Sequence, residues 1–247
     1  MRIPNYDVED DAVSNFKQLY DFMPHQCFRM LICGPSGSGK TNTLMHLIYN
    51  LLYFDKIYLY AKNLEQSKYR NLMDDFQPIS DEVGYDVIEV SNDEIIPVQD
   101  LDSDSQKIVI FDDYVCDKHQ KPLIDYFIRG RHKNCSVIYL SQSYYKTPKD
   151  IRLNCSHFSI YEFPSANEKS LICRENSIPK ESYEKATGEP YSFVYIDKPR
   201  KFITKNFNEK IEINYINELF KWTFTFFRVF INNDSTTWIT WCWIQIN

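Results

Sequence analysis

Short apolar runs bounded by turns alternate along this chain with longer stretches in which apolar residues recur every three or four positions. The runs Arg29–Cys33, Lys56–Ala61, Lys107–Phe111, Ser136–Leu140 and His157–Tyr161 are nearly continuous, as expected of strands buried on both faces. Between them the helical period predicts Thr41–Leu52, Leu64–Phe76, Lys118–Ile128 and Ala166–Asn176, each long enough for a crossover between parallel strands. Tyr191–Ile196 and Lys201–Thr204, joined across Asp197-Lys-Pro-Arg200, predict a hairpin added to the sheet. Residues 77–106, rich in Asp, Ser and Asn, predict a loop with one strand near Asp86–Val90. The pattern predicts an α/β fold, a mostly parallel sheet with helices on both faces and a C-terminal hairpin addition. It divides the chain into an N-terminal extension (1–23), a main domain (24–205) and a C-terminal helix with an aromatic tail (206–247).

The first predicted strand runs directly into Gly34, Pro35, Ser36, Gly37, Ser38, Gly39, Lys40 and Thr41, and a predicted helix follows. This is a complete P-loop in the context that makes it a nucleotide site. Small residues let successive backbone N–H groups curl around phosphates, Lys40 adds a cation at the β/γ oxygens, and the Thr41 hydroxyl reaches Mg²⁺. The helix N-terminus adds its own positive end, with Asn42 in its first turn. ATP and Mg²⁺ are therefore the expected nucleotide and metal.

Ile108-Val-Ile-Phe111 followed by Asp112 and Asp113 has the form of the second nucleotide motif: a buried strand with carboxylates at its C-terminal end. Asp112 is placed to hold Mg²⁺ opposite Thr41, and Asp113 to orient or deprotonate the attacking water. The strand Lys56–Ala61 is expected to intervene between the two motif strands, an additional-strand, RecA-like arrangement typical of hydrolytic motors. No N-K-x-D signature for guanine occurs. The strand ending in Leu140-Ser141-Gln142 places an amide where a γ-phosphate sensor belongs. Arg129 and Arg131, just before that strand, are candidates for a finger acting on a neighbouring subunit's nucleotide.

The formal charge is −6, against a protein that coats nucleic acid over its whole surface, but the charges are segregated. Asp81–Asp117 holds twelve acids and one base, whereas Arg129–Arg152 holds six bases and one acid. The seven cysteines show no C-x-x-C spacing, which predicts a reducing, intracellular setting without a zinc site. Met1–Asp21 is polar and acidic, so no secretory leader is expected, and no run is long enough for a membrane span. All four tryptophans fall in the last 26 residues, in a stretch with no clean period of 2 or 3.6. That tail is open to four readings: packing on the core, seating on a partner, lying at a membrane surface, or read-through.

Pro24–Asn42, Val109–Asp113 and Arg131–Tyr144 followed by Ile151-Arg-Leu-Asn-Cys155 resemble the poxvirus-type genome-packaging ATPases of the FtsK/HerA superfamily, with relatives in giant viruses, virophages and Polinton elements. The resemblance covers roughly residues 24–205. It implies a homo-oligomeric ring, expected to be a hexamer, that hydrolyses ATP to drive double-stranded DNA into a capsid, with a capsid or portal protein as partner and the host cytoplasm or nucleus as location. Carried over by position, Lys40 and Thr41 match the phosphate and Mg²⁺ contacts, Asp112 the metal carboxylate, Asp113 the catalytic acid and Gln142 the sensor. Many superfamily members have Glu where this chain has Asp113, one methylene longer.

Lys146, Lys149 and Arg152 follow the sensor strand and are expected to meet the phosphate backbone of DNA in the pore of a ring, with Tyr144 and Tyr145 packing or stacking beside them. Competing functions are a non-packaging helicase or translocase of the same superfamily, an inactive integrated copy, and a small-molecule P-loop kinase, for which no arginine-bearing lid is visible.

Overall fold

The computed structural model describes residues 27–91, 95–114, 120–207 and 209–210, the last two as backbone. The 1–23 extension and the tryptophan-rich tail lie outside them.

Nine strands form one sheet: β1 (Arg29–Cys33), β2 (Lys56–Ala61), β3 (Ile88–Ser91), β4 (Lys107–Asp112), β5 (Cys135–Ser141), β6 (His157–Tyr161), β7 (Phe193–Asp197), β8 (Phe202–Lys205) and β9 (Glu209–Lys210). Their order is β3-β2-β4-β5-β1-β6-β7-β8-β9. The first six in that order run parallel, and β7, β8 and β9 close the sheet as an antiparallel meander. The fold is thus the expected mostly parallel sheet with a C-terminal hairpin, which β9 extends by one short strand.

The inserted strand is not the expected one. β5 lies between β1 and β4, whereas β2 lies outside β4. The two motif strands are therefore separated by the sensor strand itself. Its register sets Ser141 beside Cys33 and Leu140 beside Asp112.

Alternate residues of the central strands feed two packed layers. On one face Met30, Ile32, Ile57, Leu59, Ile108, Ile110, Ile138 and Leu140 pack with Leu44, Leu47 and Ile48 of the helix α1 (Lys40–His46) and its π-helical continuation Leu47–Leu51. Tyr69 and Leu72 of α2 (Ser67–Val83) complete that layer. On the other face Phe111 and Tyr139 meet Tyr126 and Phe127 of α3 (Lys121–Arg129) edge-on. Helices cover both faces, which lets the parallel strands be apolar throughout.

α2 runs on to Val83, so residues 77–83 are helical and not loop. Pro78 and a polar run hide this in the sequence, but the helix ends properly. Gly84 adopts φ 79°, its N–H bonds Ser80 O at 2.9 Å, and Ser80 Oγ accepts the N–H of Val87 at 3.0 Å. α4 (Lys149–Asn154) and α6 (Lys180–Thr187) are too short to show a period, while α5 (Ala166–Asn176) lies where predicted, with Ser165 Oγ capping the N–H of Glu168. No helix among the described residues is long and apolar enough to cross a membrane.

Candidate nucleotide site

Parallel strands with aligned C-terminal ends present their following loops on one edge of the sheet, where ligands of open α/β sheets bind. The loop after β1 is the P-loop, held to its neighbour by Gly34 N–H donating to Ser141 O at 3.1 Å. Gly34 admits no side chain, because a Cβ there would lie 2.6 Å from Tyr161 Cβ and 2.7 Å from Ser38 Oγ. Gly39 turns the chain into α1 at φ 107°, a conformation L residues rarely adopt.

Lys40 Nζ donates to Gly34 O and Pro35 O, each at 2.8 Å. Burial lowers its pKa, while Cys33, Asp112 and Asp113 act to keep the proton. Those two carboxylates lie near enough for their fields to act on the P-loop cation. Ser38 Oγ, packed against Gly34, is buried without a hydrogen-bond partner. The donor set of the loop fits a polyphosphate.

Asp112 ends β4 and Asp113 follows at φ 63°, in the left-handed region that Asp enters more readily than most residues. Burial raises the Asp112 pKa, and the Tyr69 hydroxyl, donating to Oδ2 at 2.6 Å, works against that rise. Tyr69 itself is fully buried in α2. One carboxylate oxygen of Asp112 is thus fixed by the protein, an arrangement suited to holding a hard cation directly or through water with the other. Gln142 Nε2 donates to Asp113 Oδ1 at 3.3 Å. The expected sensor and the expected catalytic acid are joined across the end of β5.

Arg129 and Arg131 lie at the opposite end of β5, exposed, in the last turn of α3 and the short 3₁₀ turn Gly130–Lys133. The seven residues of β5 separate them from the P-loop edge by about 20 Å. Neither reaches the nucleotide site of its own chain.

The loop after the sensor strand requires a correction. Lys146 and Lys149 are exposed, but Arg152 is buried. Its Nη1 donates to the carbonyls of Tyr144, Tyr145 and Thr147 at 2.8, 3.1 and 3.2 Å, and its Nη2 pairs with Glu175 Oε1 at 3.1 Å. A guanidinium so occupied holds the loop together and has no charge to offer DNA. Tyr144 is buried beside it, donating to Glu175 Oε2 at 3.0 Å, whereas Tyr145 is 73% exposed.

Sequence reasoning passed over Tyr69, Glu175 and Glu168. Glu168 Oε1 accepts from Ser143 Oγ at 2.5 Å and from Tyr145 N–H at 3.3 Å, tying α5 to the sensor loop. In the sequence Glu168 and Glu175 are ordinary polar positions of a helix and Tyr69 an ordinary core aromatic; their partners lie 23 to 43 residues away.

A P-loop on one strand, paired carboxylates on a second and an amide on the strand inserted between them define a RecA-like P-loop NTPase of the additional-strand type. Within that class, the chain belongs to the poxvirus A32 protein family, whose profile matches residues 15–185. Among solved structures it is similar to the genome packaging NTPase B204 from Sulfolobus turreted icosahedral virus 2. The complex with ATP-gammaS gives a TM-score of 0.54 at 17% identity, over 72% of this chain and 96% of that one. The complex with AMP gives 0.53 at 17% identity, over 73% and 96%. B204 of Sulfolobus turreted icosahedral virus, described as a DNA-packaging ATPase, gives 0.52 at 16%, over 72% and 96%. Likeness at these identities establishes the shared fold. No curated protein matches the chain.

Proposed function

We propose that this chain is an ATP-hydrolysing double-stranded DNA translocase that packages the genome of a virus or virus-like element into a capsid. It would work as a hexameric ring docked on a capsid or portal protein, in the host cytoplasm or nucleus where virions assemble. The observation that carries the reading is the convergence of the P-loop, Asp112, Asp113 and Gln142 on one sheet edge in a chain of the poxvirus A32 family. The likeness to a protein described as a genome packaging NTPase supports it.

In this account the P-loop N–H groups and Lys40 bind the β- and γ-phosphates, Lys40 exchanging its carbonyl partners for phosphate oxygens. Thr41 and Asp112 would hold Mg²⁺, which supplies charge neutralisation at those oxygens. Asp113 orients the attacking water and accepts its proton; being shorter than Glu, it acts from closer to the strand end. Gln142, bonded to Asp113, registers loss of the γ-phosphate and passes the change to the loop that carries Lys146 and to α4, which begins at Lys149. Because Arg129 and Arg131 are far from their own site, a finger from this pair serves a neighbouring subunit, and the ring is needed for turnover.

The test is steady-state ATPase activity with and without long double-stranded DNA, at low and physiological salt. Stimulation by duplex that weakens as salt rises is the expected result. Stimulation by single strands alone supports a helicase instead. Turnover with a nucleoside acceptor and no response to DNA supports a kinase.

A further inference from the structure

The P-loop helix α1, its continuation to Leu51 and the antiparallel end of the sheet border an open cavity of about 480 Å³, lined by Asn42, Thr43, His46, Leu51, Phe193, Asn206 and Phe207. Its volume falls within the range of small-molecule sites, about 300–1,000 Å³. Asn42 and Thr43, in the cavity lining, directly follow Lys40 and Thr41 in the first turn of α1. The walls are aromatic. Phe207 stacks on His46 with centroids 6.3 Å apart and 21° between planes, and it meets Phe193 edge-on at 5.0 Å.

Asn206 adds a polar group of defined polarity. Its Oδ1 accepts the Phe193 N–H at 3.2 Å, which leaves the amide NH₂ as the group to donate. At the P-loop side stands Tyr191, 72% exposed and at φ 62°, an uncommon backbone for a large aromatic. Its ring lies 3.5 Å from the position a Cβ on Gly39 would take. An exposed ring is thereby held against the last glycine of the phosphate loop, two residues before Phe193 lines the cavity.

Aromatic walls with an N–H donor suit a flat heteroaromatic ring whose nitrogens accept hydrogen bonds. We propose that this cavity takes the purine base and ribose of the nucleotide whose phosphates the P-loop holds, with Tyr191 stacking at its mouth and the Asn206 amide donating to a ring nitrogen. The inference rests on the nucleotide-site reading above and adds to it the residues that grip the base.

The test compares ATP with inorganic tripolyphosphate, which has the phosphates and no base, by calorimetric titration of the full chain in Mg²⁺. The variants are Tyr191→Ala, at an exposed position, and Asn206→Asp, which keeps the oxygen that accepts from Phe193 and replaces the donor with an acceptor. Each is expected to weaken ATP about tenfold, within the range of a lost base–aromatic or base hydrogen-bond contact, and to leave tripolyphosphate unchanged. A variant that leaves ATP binding unchanged, or weakens both ligands equally, overturns the role of that residue. Wild type that binds ATP no more tightly than tripolyphosphate overturns the base pocket and leaves the phosphate site intact, whereas wild type that binds neither overturns the nucleotide site itself.

Discussion

Two cations in this molecule, Lys40 and Arg152, each sit among backbone carbonyls in a loop at the same edge of the sheet, and they are there for opposite reasons. Lys40 holds two carbonyls of its own P-loop and hydrogen-bonds no carboxylate in the described structure; Asp112 and Asp113 act on it through their fields. Arg152 holds three carbonyls and a carboxylate and is 7% exposed. The first is a charge kept ready for an anionic ligand; the second is spent on the shape of its own loop. Charge along a sequence does not distinguish them, because the difference lies in what the fold brings up to each.

Substitutions at the two cations should separate stability from function. Arg152→Ala leaves three loop carbonyls without their donor and the partly buried Glu175 without its cation, which should cost less than the ~3–5 kcal/mol of a fully buried pair but still lower stability clearly. Its signature is a lower denaturant midpoint at unchanged slope, with nucleotide affinity preserved under conditions where the variant is folded. Lys40→Ala should do the reverse, lowering ATP turnover by about 10²–10³ for loss of one preorganised charge contact, with thermal stability close to wild type. Equal effects of both on stability would dissolve the distinction.

Smaller effects sharpen it. Tyr69→Phe removes the hydroxyl that fixes Asp112 while keeping the buried ring, and loss of such an outer partner typically weakens metal affinity about 10–100-fold. A Mg²⁺ titration of ATP-gammaS binding should show a half-saturation raised at least to the low end of that range; an unchanged midpoint removes Tyr69 from the site. The double substitution Lys146→Ala, Lys149→Ala is expected to reduce the slope of log affinity for duplex against log salt by about 2, one unit per lost phosphate contact. Adding Arg152 to that set should not reduce the slope further, which distinguishes the buried arginine from the exposed lysines.

Much of the fold and the centre of the site were legible in the sequence because their logic is local. A continuous apolar run, a glycine-rich turn and an amphipathic helix in succession specify β1, the P-loop and α1 without reference to anything else. The same holds for β4, which ends in Asp112 with Asp113 directly after it. What was not legible depends on contacts across the chain. That β5 and not β2 lies between the motif strands is a matter of pairing register, with Ile138 opposite both Met30 and Ile110, and no local pattern encodes it. Arg152 looked free because Glu175 is 23 residues on, and Tyr69 looked like one more aromatic because Asp112 is 43 residues away. The helix through Pro78 was obscured for a different reason: local propensity opposed it, while burial of Tyr69 and Leu72 and the cap at Gly84 favoured it.

If the chain is a packaging motor, hydrolysis at this edge moves it along duplex DNA. The direct measurement is ATP-dependent displacement of a triplex-forming strand from a long double-stranded template, comparing wild type with Asp113→Asn, which should bind ATP and fail to split it. The expected result is displacement that requires ATP and duplex and is absent from Asp113→Asn. ATP hydrolysis by wild type without displacement, or displacement by Asp113→Asn equal to wild type, would contradict it.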